Sequence, residues 1–258
     1  MSTVDKAISL LDLFSIDTPE LGLSEIARRA GYDKATTRRL LLSLSRHGFV
    51  EQDAETRHYR LGAGLTRLAR IREARLPLLQ TALPFLRDLA IATSETVHLS
   101  EAGNASLLTV LVEHPARANR VNVNVGEYLP LHSTASGLAY LAHARPDAVK
   151  AALGNPLTAF TSHTVTEPGA ILAEVEATRA RGYSIMDQGF EDGVFSVAAA
   201  ILGSGGYAIG TLAIAAPVVR TTKALAAERG QAVAAAARQI SERLSGEGFG
   251  ALRKRASA

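Results

Sequence analysis

The chain has 258 residues, of which 47% are hydrophobic and 21% charged, a balance typical of a folded globular protein. It contains no Cys, which excludes disulfides, thiolate metal sites and a Cys nucleophile, and its formal net charge is only +3. No apolar run reaches the ~18 residues of a membrane span, and acids at Asp5 and Asp12 interrupt the first segment, so we expect a cytoplasmic protein without a secretory leader or membrane partner.

The first 50 residues predict three short helices. In "VDKAISLLDLF" the apolar residues recur at helical spacing and put Ile8 on the buried side. "SIDTPELGL" predicts a loop, and "SEIARRAG" a helix with Ser24 as its N-cap and Gly31 as its end. A third helix starts after Asp33 and stops before Gly48, which completes the outline of a helix-turn-helix.

The helix after Asp33, in "DKATTRRLLLSLSR", separates an apolar face from a basic one. At about 100° per residue, Leu40, Leu41 and Leu44 share one face, and Thr37 falls on it too. Arg can bind guanine or phosphate through two donors, and Thr can bond phosphate. The predicted DNA contacts lie on this helix, on the helix before it and on the segment after it: Arg28, Lys34, Ala35, Thr36, Thr37, Arg38, Arg39 and Arg57.

A hairpin follows at "FVEQDAETRHYRLG", and a hairpin directly after a helix-turn-helix is a wing. Between residues 28 and 75 the chain carries 12 Lys or Arg and 5 Asp or Glu, a net charge of +7, whereas the part after residue 75 is neutral. A basic surface helix without a partner would explain the third helix alone. The preceding helix, the wing and the local charge together favour double-stranded DNA.

The pattern changes near residue 76, and the chain divides into a winged helix-turn-helix domain (1–61), a linker helix (62–75) and a second domain (76–258). In the second domain, helices are predicted near 78–94, 146–153, 169–181 and 220–244. Strand-like runs are "ETVHLSE", "SLLTVLVE", "RVNVNVG", "GYSIMD", "GVFSVAAAIL" and "GYAIGTLAIAA". "GSGG" separates the last two as a hairpin turn. This order predicts an α+β fold with one central antiparallel sheet.

With these residues identified, the chain resembles the IclR family of bacterial transcriptional regulators nearly from end to end. The N-terminal similarity rests on "LSEIARRAGYDKATTRRLLLSL" and "HGFVEQDAETRHYRLG", and the C-terminal similarity on "SETVHLSE", "GEYLPLHSTASGLAYLA", "RARGYSIMD" and "EDGVFSVAAAI". The resemblance implies a winged helix-turn-helix domain joined by a helix to an effector domain with a GAF/PAS-like sheet. It also implies homodimers or tetramers on operator DNA and a small-molecule effector, often a carboxylic acid.

The resemblance extends to the effector site. The loop "HSTASG" matches the ligand-facing loop of the family at Ala135 and Ser136, and because it opens a helix, its N–H groups and dipole could hold a carboxylate. Ser196 stands where many relatives carry Cys, Met186 stands at an acidic position, and two Ala replace Ser on the last strand. The predicted effector contacts are His98, Ala135, Ser136, Met186, Asp187, Ser196, Ala213 and Ala215.

These departures predict a roomier and less polar pocket, which favours an aromatic or otherwise larger carboxylic acid as the effector. Small Ala side chains that simply pack under a helix would explain the same residues equally well.

Two other classes of protein fit the sequence less well. "LHSTASG" contains Ser and His but not in the register of a G-x-S-x-G nucleophile, and "GSGG" lies between two strands, where a dinucleotide loop would precede a helix. Seven His without Cys give little support to zinc. We therefore predict no catalytic residue, no metal and no cofactor. A DNA-scaffolding protein would spread its positive charge over the whole chain, unlike the neutral second domain here.

Overall fold

The computed structural model describes residues 2–74, 77–103, 105–154 and 156–256. The chain divides into two compact units, Met1–Leu76 and Pro77–Ala258. The predicted end of the linker at residue 75 and the predicted start of the second domain at residue 76 lie outside the described residues. Within those residues, no helix is both long and apolar enough to cross a membrane.

The first unit contains short helices and a small antiparallel sheet with the strand order β1-β3-β2. Its elements are α1 (Thr3–Ser9), a 3-10 turn (Leu11–Leu13), β1 (Glu20–Leu21), α2 (Leu23–Ala30), α3 (Lys34–Arg46), β2 (Val50–Gln52), β3 (Tyr59–Leu61) and α4 (Ala63–Glu73). The structure thus confirms a helix-turn-helix followed by a hairpin.

Two glycines end the helices of this motif. Gly31 after α2 and Gly48 after α3 both have φ of 70°, a left-handed conformation that costs a residue without Cβ little. Between them, the carboxylate of Asp33 caps α3 by accepting a hydrogen bond from the N–H of Thr36 at 2.8 Å. Ile26 of α2 and Leu41 of α3 are completely buried in the core of the unit.

Two details of this unit differ from the prediction. Gly22 occupies the N-cap of α2, so Ser24 lies in the first turn and does not cap the helix. Helix α1 ends at Ser9, and Ile8 is 47% exposed, not buried. The change to a 3-10 turn after α1 breaks the 3.6-residue period on which the predicted apolar face depended.

The second unit is built on a six-stranded antiparallel sheet with the order β6-β5-β4-β9-β8-β7. Its strands are β4 (Thr96–Ala102), β5 (Leu107–Glu113), β6 (Tyr128–Leu129), β7 (Ser184–Asp187), β8 (Val194–Leu202) and β9 (Ala208–Pro217). Its helices are α5 (Leu78–Thr93), α6 (Ala135–Ala142), α7 (Pro146–Leu153), α8 (Pro168–Arg181) and α9 (Lys223–Ala256), with a 3-10 turn at Val218–Arg220. The predicted α+β fold with a central antiparallel sheet is confirmed.

The central strands present different residues to the two faces of the sheet, because successive side chains of a strand point to opposite sides. One face buries large apolar side chains, such as Leu99 and Ile214, against α5 and α9. The other face is lined by small or polar residues and packs against α6, where Ala135 and Ala139 meet Ala198 and Ala213.

The run "RVNVNVG" is not a strand, contrary to the prediction. Residues 120–126 make no ladder, and the edge strand forms later, at Tyr128–Leu129. The alternation in this run has another cause, since Val121 and Val123 are buried against Ala215. The carbonyl of Val121 accepts a hydrogen bond from the Thr96 hydroxyl at 2.6 Å, which ties the segment to β4.

Gly137 allows α6 to lie close to the backbone at Leu131. A Cβ at this position would lie 2.2 Å from the carbonyl oxygen of Leu131. We expect Gly137→Ala to destabilise the second unit by about 1–3 kcal/mol through overpacking. Gly246→Ala, in α9, is the matched control, since its Cβ would meet nothing within 4 Å; it should be neutral or stabilising by up to ~1 kcal/mol. Urea denaturation measures both, and equal stabilities would contradict the close approach of α6.

Candidate DNA-binding surface and ligand cavity

Helix α3 turns three of its four leucines inward; Leu42 is 48% exposed, and basic and small side chains lie at the surface with it. Leu40, Leu41 and Leu44 are buried in the core of the first unit. Among the predicted contacts on this helix, Thr36 is partly buried. The exposed ones are Lys34, Ala35, Arg38 and Arg39. Hydrogen bonds from the N–H and hydroxyl of Thr36 lower the pKa of the capping Asp33 carboxyl, which keeps the cap ionised at neutral pH.

Thr37 does not belong to this surface, and its predicted role in DNA binding is corrected. Its side chain is completely buried, and its hydroxyl donates a hydrogen bond to the carbonyl of Asp33 at 2.9 Å. The helical wheel already placed Thr37 on the leucine face, and the tertiary packing keeps it there.

The predicted cationic contacts differ in their freedom to meet phosphate. Within the described part of the chain, Lys34, Arg38, Arg39 and Arg57 form no ion pair. Arg28 is different, because it and Arg29 both bind the carboxylate of Glu25, at 2.6 and 2.7 Å. The hydrogen bonds from Arg28 and then Arg29 lower the pKa of Glu25 to about 2. One carboxylate is thus shared by two guanidinium groups, and the three side chains together keep a net charge of +1 at neutral pH.

The wing presents Arg57 from an ordered turn. Asp53 accepts hydrogen bonds from the N–H groups of Glu55 and Thr56, and Gln52 donates its side-chain amide to the carbonyl of Arg57 at 2.9 Å. Arg57 has φ of 61°, a conformation that is uncommon for residues other than glycine. These hydrogen bonds fix the backbone position from which the Arg57 side chain extends.

A surface groove of about 670 Å³ joins the wing to the helix-turn-helix. Arg38 and Arg57 both line it. Further polar residues on its walls were not predicted as DNA contacts, among them Ser24, Gln52 and His58. Their polar character at the hairpin and at the start of α2 was visible in the sequence, but only folding brings the hairpin beside that helix.

The second candidate site is a cavity on the α6 side of the central sheet. Its volume is about 60 Å³. The structure brings six of the predicted effector positions to its wall: His98, Ala135, Ser136, Met186, Ser196 and Ala215. They come from the four strands β4, β7, β8 and β9 and from the start of α6.

The N-terminus of α6 offers hydrogen-bond donors to this cavity. The Thr134 hydroxyl caps the helix by accepting from the N–H of Gly137 at 2.9 Å, which satisfies one of the free amides. Among the described residues, the N–H groups of Ala135 and Ser136 have no acceptor. Free amides at the positive end of a helix dipole are suited to an anion.

His98 lies beside these amides and is buried. Its Nε2 is 3.3 Å from the hydroxyl oxygen of Ser136, and its Nδ1 has no hydrogen-bond partner among the described residues. Burial lowers the pKa of His98 to about 4. The imidazole is therefore neutral at physiological pH and can act in the cavity as a donor or an acceptor, not as a charge.

Two predicted effector contacts do not line the cavity. Ala213 is completely buried where the sheet meets α6, packed with Ala135, Ala139 and Ala198. Asp187 is exposed, because side chains alternate along β7 and its neighbour Met186 takes the inward direction. Both predictions are corrected on these grounds.

The roomy pocket inferred from small side chains is also wrong, because other residues fill the space. The apolar lining includes Val121 and Val123, against which Val194 packs, and Leu129, whose cluster includes Phe190. The alternation of "RVNVNVG" marks Val121 and Val123 as buried, but no sequence period shows that they and Phe190 fill space beside the small residues of the strands. An engineered cavity of about 150 Å³ holds benzene, so the cavity as it stands is too small for an aromatic ring.

The lowered pKa of His98 predicts a specific loss of stability in acid. Below the ordinary value of 6.5 the unfolded chain takes up a proton, whereas the folded chain does so only near pH 4. The stabilisation is therefore complete above pH 6.5 and is lost as the pH falls towards 4, by about 3 kcal/mol in total.

Urea denaturation of the wild type and of His98→Gln at pH 7.5 and pH 5.0 measures this effect. We expect the wild type to lose about 2 kcal/mol more than the variant between these two pH values. Parallel losses in the two proteins would show that His98 does not titrate as its burial requires.

Comparison with known proteins assigns both units to one family. The family model described as bacterial transcriptional regulator IclR C-terminal matches residues 73–242, and the model described as IclR helix-turn-helix domain matches residues 3–54. The glycerol operon regulatory protein of Streptomyces coelicolor is 35% identical over 222 residues, which cover 85% of this chain and 86% of that protein.

Two solved structures share the fold. A protein assigned as an IclR transcriptional regulator of Silicibacter sp. TM1040 has a TM-score of 0.84 at 40% identity, with 95% of this chain and 96% of that chain covered. An IclR homolog from Microbacterium hydrocarbonoxydans, complexed with 4-hydroxybenzoate, has a TM-score of 0.82 at 26% identity, with 94% and 99% covered.

Proposed function

Because the chain belongs to the IclR family of bacterial transcriptional regulators, we propose that α3 and the wing read operator DNA and that a small carboxylic acid in the sheet cavity modulates this binding. The chain is a DNA-binding regulator and not an enzyme. The observation that carries the finer proposal is the N-terminus of α6, where Ala135 and Ser136 line the cavity and their amides have no acceptor among the described residues.

The proposed DNA interface makes two kinds of contact, one with bases in the major groove and one with phosphates. Arg38 and Arg39, with Ala35 and Thr36, lie on the exposed N-terminal half of α3, the part that enters the major groove in this motif. Lys34 and Arg57 would bind phosphate, which provides affinity and salt dependence but no sequence preference. Arg28 donates to Glu25 from Nε and Nη2, so it would bind phosphate through Nη1.

We also propose that α4, within the linker 62–75, joins the DNA-binding domain 1–61 to the effector domain 76–258 and contributes to a homodimer or tetramer contact. Helix α4 contains no buried residue in the single chain. Its apolar residues nevertheless recur at helical spacing, with Leu68 42% and Ile71 56% exposed. An apolar stripe left at the surface is what a partner helix would cover.

The size of the cavity supports a short-chain acid over an aromatic one in the conformation described. The complex of the Microbacterium hydrocarbonoxydans homolog with 4-hydroxybenzoate supports an aromatic acid as a second candidate. An aromatic ring would require the cavity to open, since the present volume is about 60 Å³.

The DNA-reading role of Arg38 is tested by fluorescence anisotropy on DNA from upstream of the gene itself and of its neighbours, with a scrambled duplex for comparison. Arg38→Ala should weaken specific binding by about 1–3 kcal/mol and should affect the scrambled duplex less. Arg57→Ala should weaken binding to both duplexes equally and lower the salt slope by about one.

Lys150→Ala is the matched control, because it removes one exposed positive charge from α7 in the second unit. Its affinity for both duplexes should equal that of the wild type. If Arg38→Ala binds the preferred duplex as tightly as the wild type does, Arg38 does not contact bases.

The cavity is tested by filling it. Ala215 is 3% exposed and lines the cavity, so Ala215→Leu should abolish the response of the protein–DNA complex to acids while leaving operator affinity within about twofold. Ala151→Leu, at an exposed position of α7, is the control and should respond as the wild type does.

The measurement is a titration of the operator complex with propionate, lactate, 3-hydroxypropionate and 4-hydroxybenzoate. A response of the wild type to 4-hydroxybenzoate alone would favour the aromatic candidate and an opened cavity. A full response of Ala215→Leu would remove this cavity as the effector site.

A further inference from the structure

The carboxylate site leaves one polar atom of the cavity wall unexplained. The Nδ1 atom of His98 is buried without a hydrogen-bond partner among the described residues, and the side chain is only 5% exposed. Buried polar atoms without partners are rare in folded proteins, because the lost contact with water is not replaced. Since His98 lines the cavity, a molecule bound there can provide the missing partner.

The hydrogen bond on the other side of the ring limits what Nδ1 can do. Nε2 lies 3.3 Å from the Ser136 hydroxyl, which can either donate to it or accept from it. A neutral imidazole has one N–H, so Nδ1 is a donor in the first case and an acceptor in the second. A hydroxyl group on a ligand satisfies both cases, because it donates and accepts.

The same residue that pairs with His98 also carries one of the free amides of α6. A carboxylate held by the N–H groups of Ala135 and Ser136 would therefore lie next to the imidazole, and a hydroxyl within reach of Nδ1 must be close to that carboxylate. The volume of about 60 Å³ permits only a short chain beyond these groups.

The remaining walls restrict the ligand to one negative charge. Val121, Val123 and Ala215 offer only apolar contact. The ionisable residues on the wall other than His98 are two acids, Glu127 and Glu191. A second carboxylate would face these like charges without a cation among the lining residues.

Resting on the carboxylate site proposed above, we propose that His98 recognises a hydroxyl adjacent to the carboxylate, so that the cavity takes a short-chain hydroxymonocarboxylic acid. His98 is then the residue that separates a hydroxy acid from the plain acid of the same chain length. With the plain acid, Nδ1 stays buried and unpaired, which is the penalty by which a polar site rejects an analogue that lacks its hydrogen-bonding group.

Calorimetric titration of the full-length protein with propionate, lactate and 3-hydroxypropionate tests this directly, since both hydroxy acids differ from propionate by one hydroxyl. We expect at least one of them to bind roughly tenfold or more tightly than propionate. Equal binding of all three would leave the carboxylate site standing and overturn the role of His98. Binding of none would overturn the carboxylate site and the hydroxyl preference together.

Two substitutions of His98 separate recognition of the hydroxyl from support of the fold. The side-chain amide of Asn places polar atoms near the position of Nδ1, and that of Gln places them near Nε2. His98→Gln keeps a partner for Ser136 but should bind hydroxy acid and propionate within about twofold, whereas His98→Asn should retain a preference for the hydroxy acid. Thermal denaturation checks that both variants are folded.

The opposite pattern would overturn the proposal, since a hydroxyl preference retained in His98→Gln and lost in His98→Asn would assign the contact to the Ser136 side of the ring. A preference retained in both variants would assign hydroxyl recognition to another residue of the wall.

Discussion

The second unit depends on one geometric constraint, the alternation of side chains along the central strands β4, β8 and β9. On one face, large apolar residues such as Leu99, Ile201 and Ile214 form the core with α5 and α9. On the other, Ala198 and Ala213 are small enough for α6 to pack closely, and Gly137 meets the chain with no room for a Cβ. This close approach brings the free end of α6 to buried polar groups of the sheet.

The wall of the cavity that lacks regular structure is held by a buried ion cluster. Glu95 is 1% exposed and binds Arg220 at 2.7 Å and Arg229 at 3.0 Å. Arg220 also donates to the carbonyl of Asn119 at 2.9 Å, two residues before the buried Val121. The two cations and the further hydrogen bonds offset the free-energy cost of removing the Glu95 carboxylate from water. The cluster thereby fixes the geometry of the groups around it. The end of β9 and the start of α9 thereby position a segment that no strand pairing holds.

In the first unit, apolar side chains also form the core, and several surface cations, among them Arg38 and Arg39, form no ion pair among the described residues. The leucines of α3 supply the packing, and the capped N-terminus fixes where the helix begins, so Arg38 and Arg39 are not needed to stabilise the fold. Arg28 differs because Glu25 already binds it. For a ligand in the second unit to alter DNA binding, it must prefer one arrangement of the assembled protein, and a difference of 1–3 kcal/mol is typical of such coupling.

The sequence by itself determined the elements that follow local rules. Gly31, Asp33 and Gly48 mark the helix-turn-helix, the leucine spacing of α3 fixes its buried face, and helical and strand periods identify nearly every element of the second unit. The family resemblance added which positions are predicted to contact a ligand, and six of these eight positions line the cavity. These features are legible because caps, turns and periodic burial depend on residues within a few positions of one another.

Only the tertiary structure decided how large the cavity is and which polar atoms are left over inside it. Val121 and Phe190 line the cavity beside the small residues of the strands, although both lie outside the strands that carry those residues. The pairing of Arg28 and the unpaired nitrogen of His98 likewise depend on distances between groups. Volume and hydrogen-bond satisfaction are sums over all neighbours in space, and no local sequence pattern contains that sum.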